Sequence, residues 1–226
     1  MLPGLSPSVP LWKPAVEPFS VSYRNSYADI NDLTTYTFAA ADLGTATPSR
    51  LVVVGAMAFG GTSDTVVASA TINGVAATIV AGANISVVSG SVVAAVFYAA
   101  VPAGATGDIV VTFSGAKVRA AIGVWAVYGS SGAHTDADEF SSASATAFAL
   151  SALTVPTDGV GIVFAGTANV ATTGFTWTNA TERSDAVVEL NNRYSGADTL
   201  VAGTATITGT VSAALAGAVA GLAFGP

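Results

Sequence analysis

Turn signals interrupt this chain about every 8 to 15 residues from residue 19 onward, a spacing that leaves little room for helices. The runs between them are rich in Val, Thr, Ile and aromatic residues, which suit a pleated surface. Asn73-Gly74 separates two such runs and is typical of a tight hairpin. No segment combines a helical period with capping residues at its ends. The sequence therefore predicts an all-β fold, a jelly-roll-like antiparallel β-sandwich.

The predicted strands differ in length and pattern. Thr34–Phe38 alternates between polar and apolar residues, whereas Arg50–Phe59 reads as a strand buried on both faces. In the first half, strands are predicted at 34–38, 50–59, 68–72, 75–80, 92–101, 108–114 and 118–128. In the second half they are predicted at 160–166, 175–179, 187–193, 204–211 and 213–224.

The first 18 residues differ from the rest of the chain, because five of the nine prolines lie there. Proline lacks a backbone donor and keeps the preceding residue extended, so neither a helix nor a central strand is expected. The segment also carries large apolar residues that a solvated linker would not need. We therefore expect an extended N-terminal arm at residues 1–18, with a disordered leader as the alternative, followed by one β-sandwich domain at residues 19–226. The arm residues expected to make assembly contacts are Leu2, Leu5, Val9, Leu11 and Trp12.

A weak internal repeat is visible when the chain is shifted by 96 positions, which places Thr112 on Thr208 and Ala120 on Ala216. Both copies then read as a strand ending in Tyr, a glycine turn, a Thr-rich strand and a long strand of small residues. The sequence predicts a quasi-repeat of 34–129 in 145–225.

Composition excludes several functional classes. Charged residues make up 9% of the chain, and seven basic against fourteen acidic side chains give a net charge of −7. Such a chain releases few phosphate counterions, so we expect no nucleic-acid binding. The apolar run at 213–224 is shorter than the roughly 20 residues of a membrane-spanning helix, so we expect no membrane partner. The chain has no cysteine, and no cofactor is expected. It has one histidine, so a Ser-His-Asp hydrolase would depend on His134 alone.

The densest polar cluster follows the predicted strand 118–128. Its carboxylates, Asp136, Asp138 and Glu139, are of the type that binds Ca²⁺, but the turn glycine and distal glutamate of an EF-hand loop are missing. A solvated acidic loop is the favoured interpretation, and these residues remain weak metal candidates.

Two pairs of acids have the residue types that glycoside hydrolysis needs, Glu182 with Asp185 and Glu189 with Asp198. Arg183 offers a simpler role, as a surface ion-pair partner for its neighbours. We therefore expect no catalytic residue and no enzyme.

An exposed row of aromatic side chains with nearby amides and a cation could bind a sugar. The possible ligand-binding residues by type are Tyr23, Tyr27, Tyr36, Asn191, Asn192 and Arg193. Packing is the more usual role of a strand aromatic, and Trp125 and Trp177 are expected in the core.

Four segments of the chain resemble uncharacterised β-rich proteins found in tailed bacteriophages and prophages, often among virion genes. These segments are Thr71–Thr78, Val96–Gly104, Gly107–Ser114 and Ala121–Val127. The resemblance covers about residues 20–224 and rests on strand and turn motifs. It implies a shared sandwich and brings no catalytic residue with it.

The expected function is that of a bacteriophage virion structural protein on the exterior of the particle, an outer capsid decoration or tail accessory component. A chain with so few charged residues is poorly suited to exist as a free monomer. We therefore expect contacts with other virion proteins and a homo-oligomer, with a trimer favoured. One alternative is a carbohydrate-binding receptor-recognition module that binds a host-surface glycan. A second alternative is a glycan-degrading enzyme.

Overall fold

The computed structural model describes residues 17–61, 64–87, 92–168, 174–189 and 192–226. In these ranges the regular elements are β-strands, and the paired strands run antiparallel. The prediction of an all-β antiparallel sandwich is confirmed. No helix within the described ranges is long and apolar enough to cross a membrane.

In the described residues, fifteen strands build three sheets. In chain order they are β1 (Ser20–Asp29), β2 (Leu33–Asp42), β3 (Leu51–Phe59), β4 (Val67–Ile72), β5 (Val75–Ala76), β6 (Thr78–Val87), β7 (Val92–Ala100), β8 (Thr106–Lys117), β9 (Arg119–Tyr128), β10 (His134–Leu150), β11 (Val160–Thr167), β12 (Thr176–Thr178), β13 (Thr181–Val188), β14 (Asn192–Thr199) and β15 (Ile207–Phe224). The outer sheet has the order β2-β8-β4-β5, and the central sheet has the order β1-β9-β3-β7-β6. The C-terminal sheet has the order β10-β15-β11-β14-β13, with β12 also paired to β15.

The central sheet is covered on both faces, which gives two apolar cores, and a third core lies on the far face of the C-terminal sheet. Phe38 and Val111 of the outer sheet pack on one face, against Val52 and its neighbours. Trp125 belongs to the core on the other face, which the central sheet shares with the C-terminal sheet. The third core lies beyond the C-terminal sheet, where Ile207 of β15 packs with the core residues of the same sheet. Double coverage explains why β3 is an unbroken apolar run.

Glycines let aromatic rings cross the gap between the central and C-terminal sheets. A Cβ built on Gly55 would lie 2.5 Å from the Cγ atom of Phe164, and one on Gly196 would lie 2.7 Å from the Cη2 atom of Trp125. Both distances are shorter than carbon atoms can approach, so each ring occupies the space that a side chain would need. The abundance of glycine in these strands follows from this packing.

The central sheet and the C-terminal sheet share one strand order, with β1, β9, β3, β7 and β6 matched by β10, β15, β11, β14 and β13. Their strands are not related by one common offset. Tyr27 pairs with Ile122, and Ser141 pairs with Ala218, which lie 114 and 96 positions later in the chain. The single strand β10 takes the places of β1 and β2, and β15 takes those of β8 and β9. This correspondence favours the predicted quasi-repeat, which stays a prediction.

Candidate functional site

The last two residues of the predicted arm, Glu17 and Pro18, are fixed on the central sheet. Ser49 Oγ donates a hydrogen bond to Glu17 Oε2, and the amide of Gly129 donates to the same Ser49 hydroxyl at 3.2 Å. Gly129 has a φ of +62°, and a Cβ there would lie 2.4 Å from the carbonyl oxygen of Glu17. Pro18 packs equally closely on this glycine. The arm therefore joins the fold at a defined point. Its predicted assembly residues, Leu2, Leu5, Val9, Leu11 and Trp12, lie outside the described residues.

An open cavity of about 590 Å³ lies next to this point, and we call it the junction cavity. It lies where the start of β1 meets the turn before β11 and the segment after β14. Leu200 is 66% exposed at its rim, and Asp158 is the one charged residue among the lining residues. The lining residues are Phe19, Ser20, Val21, Thr157, Asp158, Gly159, Leu200 and Ala202.

A second cavity, of about 460 Å³, shares Leu200 with the first. Asp198 at its floor is 2% exposed and accepts hydrogen bonds from Trp125 Nε1 at 2.9 Å and from Arg183 Nε at 2.8 Å. Arg183 also donates to the other carboxylate oxygen at 2.8 Å, and this hydrogen bond raises the pKa of the arginine. Val201, 51% exposed, extends the apolar rim. The two cavities together make one exposed edge that carries apolar side chains and an ion pair between the buried Asp198 and the exposed Arg183.

The predicted sugar-binding tyrosines do not form an exposed row. Tyr36 is fully buried, and its hydroxyl donates to the carbonyl oxygens of Asn31 and Lys117 at 2.9 Å each. Tyr23 is half-buried edge-on against Trp125, with ring centroids 5.2 Å apart. Tyr27 is half-buried against the first core, and its hydroxyl accepts from the amide of Asp42 at 2.8 Å. The rings therefore serve packing.

The amides and the cation of that set are also engaged. Asn192 is 8% exposed, and its Nδ2 donates to the carbonyl oxygen of Ala168 at 2.8 Å. Arg193 forms an ion pair with Asp185. Asn191 lies outside the described residues. The structure does not bring Asn192 and Arg193 together with the three tyrosines at one exposed surface.

The acidic cluster lies on a strand, which corrects the expectation of a solvated loop. Asp138 Oδ2 accepts from the amide of Ala152 at 2.8 Å, and Asp136 Oδ2 accepts from the amide of Thr154 at 2.6 Å. Glu139 Oε2 accepts from the amide of Asn84 at 2.7 Å. These carboxylates bind backbone donors. In the described part of the chain, no three His, Cys, Asp or Glu side chains come close enough to share a metal ion.

The two aspartates hold a segment that covers the third core. Leu153 and Val155 of this segment are buried, while the amides of the alternate residues Ala152 and Thr154 point to the carboxylates. The segment makes a single isolated bridge, between Val155 and Gly203. Side-chain acceptors thus take the place of a neighbouring strand.

The two pairs of acids are placed differently. Glu182 and Asp185 are close enough to interact, and burial together with the charge of Asp185 raises the pKa of Glu182. Asp185, however, is bound by Arg193 and by the amide of Phe175. Glu189 follows the end of β13, whereas Asp198 pairs with Thr181 at its start, so these two acids lie far apart. Neither pair leaves two free carboxylates facing each other.

Sequence reasoning missed the apolar edge formed by Phe19, Leu200 and Val201. The available signal was the Leu200-Val201 pair just before the turn glycine Gly203, where polar residues are usual. The proximity of Phe19 to Leu200 has no local signal, because it depends on how the sheets stack.

Comparison with known proteins leaves the family open. No protein-family model matches the chain, and no curated protein does. A solved structure of dimeric latent PorU from Porphyromonas gingivalis matches at 12% identity with a TM-score of 0.29, covering 88% of this chain and 21% of the PorU chain. The chain thus spans about a fifth of that protein, and a TM-score this low carries no argument about fold or function.

Proposed function

We propose that this protein is a structural component of a tailed-bacteriophage virion, an outer capsid decoration or tail accessory protein that assembles through its arm and its sheet surfaces. Its partners are other virion proteins and further copies of itself, with a trimer as the favoured oligomer. Support comes from a sequence with 9% charged residues and from a stack of sheets whose central strands are buried on both faces.

The observation that carries the proposal is the attachment of an apolar arm at a fixed point beside an exposed apolar edge. Glu17 and Pro18 pack on Gly129, while Leu200 and Val201 remain 66% and 51% exposed nearby. Exposed apolar surface of this kind marks protein interaction sites. Burial of the arm residues would be worth about 25 cal/mol per Å² as an upper bound.

Deletion of residues 1–16 tests the proposal, because Glu17 and Pro18 then stay on Gly129. We expect the truncated protein to unfold at nearly the same temperature as the full chain, and its incorporation into virions to be lost. Quantitative mass spectrometry of purified particles gives the occupancy. Normal occupancy of the truncated protein would contradict the proposal, and unfolding of the truncated domain would show instead that the arm packs on its own core.

A glycan-binding role rests on a different surface from the one predicted. The half-buried ring of Trp177 stacks at 5.9 Å and an interplanar angle of 18° on Phe175, which is 5% exposed and belongs to the third core, so Trp177 is the ring of this pair that could contact a sugar. The amide of Phe175 donates to Asp185, which pairs with Arg193, so charged hydrogen-bonding groups lie beside the rings. A glycan array that compares the wild type with Trp177→Ala tests this role. Glycan binding that the substitution abolishes would support it, and no binding by the wild type would exclude it for the glycans tested.

A further inference from the structure

The junction cavity offers an apolar docking surface, because Phe19 and Val21 line it and Leu200 at its rim is 66% exposed. Resting on the proposed function, we propose that the cavity of one copy receives residues 1–16 of a neighbouring copy, so that the arms are exchanged between subunits. The occupant is thus a defined segment of this same chain.

The composition of the segment fits the cavity. Residues 1–16 contain large apolar side chains, among them Leu11 and Trp12, and one charged residue, Lys13. The cavity is lined by apolar side chains that include Phe19 and Leu200, and by one charged residue, the exposed Asp158. Lys13 and Asp158 therefore have complementary charges, and the apolar side chains of the segment match those of the described lining residues.

The attachment point favours a neighbour's cavity over the chain's own. Glu17 and Pro18 pack on Gly129, which follows Tyr128, the residue that pairs with Ser20. Glu17 therefore lies beyond the end of the β1–β9 ladder. Phe19 already lines one wall of the cavity. The chain's own arm could therefore fill this cavity only if the chain turned back just before Phe19.

The sequence disfavours that reversal. A proline favours extended backbone at the residue before it, and Pro14 and Pro18 set this preference at Lys13 and Glu17. Sixteen residues in an extended proline-rich conformation reach about 50 Å, at roughly 3.1 Å per residue. A segment of this length can extend past the chain's own surface to the cavity of an adjacent copy.

Disulfide trapping tests the exchange directly, since the chain has no cysteine of its own. The full chain is prepared as Trp12→Cys and as Leu200→Cys with tags of different mass, and the two are mixed under mild oxidation. We expect a mixed disulfide-linked dimer. The matched control pairs Trp12→Cys with Ile30→Cys, which is 57% exposed at the other end of β1 and should give no mixed dimer.

The double variant Trp12→Cys/Leu200→Cys separates the two arrangements. An intrachain disulfide in the double variant, with no mixed dimer from the single variants, would overturn the exchange. So would the absence of any disulfide between the two positions.

Sedimentation gives a second measurement. Leu200→Asp should weaken self-association of the full chain by roughly tenfold or more, as expected from losing one buried leucine. Val187→Asp, at a β13 residue that is 43% exposed, should leave association unchanged. Equal association of the wild type and both variants would contradict the exchange.

The two proposals fail separately. If no mixed dimer forms but virion incorporation still requires residues 1–16, the exchange is wrong and the virion function stands. If the mixed dimer forms but the truncated chain fills virions normally, the exchange stands and the virion role of the arm is wrong.

Discussion

The indole Nε1 of Trp125 donates a hydrogen bond to Oδ2 of Asp198 over 2.9 Å, and this bond joins the central sheet to the C-terminal sheet. Trp125 is fully buried and Asp198 is 2% exposed. Arg183 supplies the countercharge from β13. One carboxylate therefore satisfies a buried donor on one sheet and a cation on the edge of another.

We expect Asp198→Ala to lower the free energy of unfolding by about 1–3 kcal/mol, because the buried indole N–H loses its acceptor. Urea unfolding followed by tryptophan fluorescence measures the change. Asp32→Ala, at an exposed residue, is the control and should shift the free energy by less than about 0.5 kcal/mol. Equal effects of the two substitutions would show that the bond contributes nothing.

Gly55→Ala should destabilise the fold by about 1–3 kcal/mol, since the new methyl group would overlap the ring of Phe164. Gly82→Ala is the matched control, because a Cβ there would meet its nearest atom, in Ala137, at an ordinary 3.5 Å. Thermal unfolding of the two variants distinguishes them. A Gly55→Ala variant as stable as the control would mean that the two sheets have room to separate.

Asp136→Ala should loosen the segment that covers the third core. We expect faster amide hydrogen exchange at Thr154 and a loss of about 0.5–1.5 kcal/mol, the net value of one hydrogen bond whose exposed donor then binds water instead. Asp136→Asn keeps one acceptor oxygen and should retain most of the protection. A rise in the wild-type melting temperature with added Ca²⁺, absent in Asp136→Ala, would instead identify the aspartate as a metal ligand.

Burial lowers the pKa of Lys117 from 10.5 to about 8. Below pH 8 the folded state must hold a buried ammonium group, whereas between pH 8 and 10.5 the unfolded chain binds a proton that the folded chain has released. The free energy of unfolding should therefore rise with pH across this window, by up to about 3 kcal/mol. Urea unfolding of the wild type and Lys117→Met at pH 7 and pH 9.5 tests this expectation. The variant should lack the rise, and an identical pH dependence in both proteins would contradict it.

Burial also raises the pKa of Tyr36 from 10.0 to about 12. The resulting stabilisation is fully present below pH 10 and is lost as the pH rises from 10 to 12, because the unfolded chain ionises first. Tyr36→Phe should cost about 0.5–1.5 kcal/mol per lost hydrogen bond at neutral pH, yet lose less stability in alkali. Parallel alkaline titrations of unfolding check this, and steeper alkaline unfolding of the variant would refute it.

The sequence predicts best the features that are set by local geometry. The hairpin at Asn73-Gly74 forms as expected, with φ angles of +50° and +76°, because few residues tolerate such angles. The buried run at 50–59 corresponds to β3, since a strand covered on both faces needs apolar side chains at every position.

Errors arise where packing overrides local pattern. The strand predicted at 187–193 spans the boundary between β13 and β14, where Glu189 has a φ of +53° that its residue type does not signal. The strands predicted at 204–211 and 213–224 merge into β15. The acidic segment at 134–139 becomes part of β10, because its carboxylates accept backbone hydrogen bonds across the sheet edge.

The repeat illustrates the same limit. A shift of 96 positions matches β8 and β9 to β15, but the register of the neighbouring strands aligns Tyr98 with Ala197 rather than with Tyr194. Connections of different length move each strand by its own offset, so one shift cannot align all of them. The junction cavity could not be predicted from the sequence for a related reason, because Phe19 and Leu200 come together only when the sheets stack.

The position of β15 in the chain has a consequence for biosynthesis. This strand follows all the others, yet it pairs with β10, β11 and β12 and lines the core on the central sheet. While the ribosome is still translating residues 207–224, the inner face of the central sheet has no complete partner and exposes Trp125 and its apolar neighbours. Nascent chains on one polysome could then associate through that exposed face. Rapid production of this protein should therefore depend on chaperones that bind the face until translation passes Phe224.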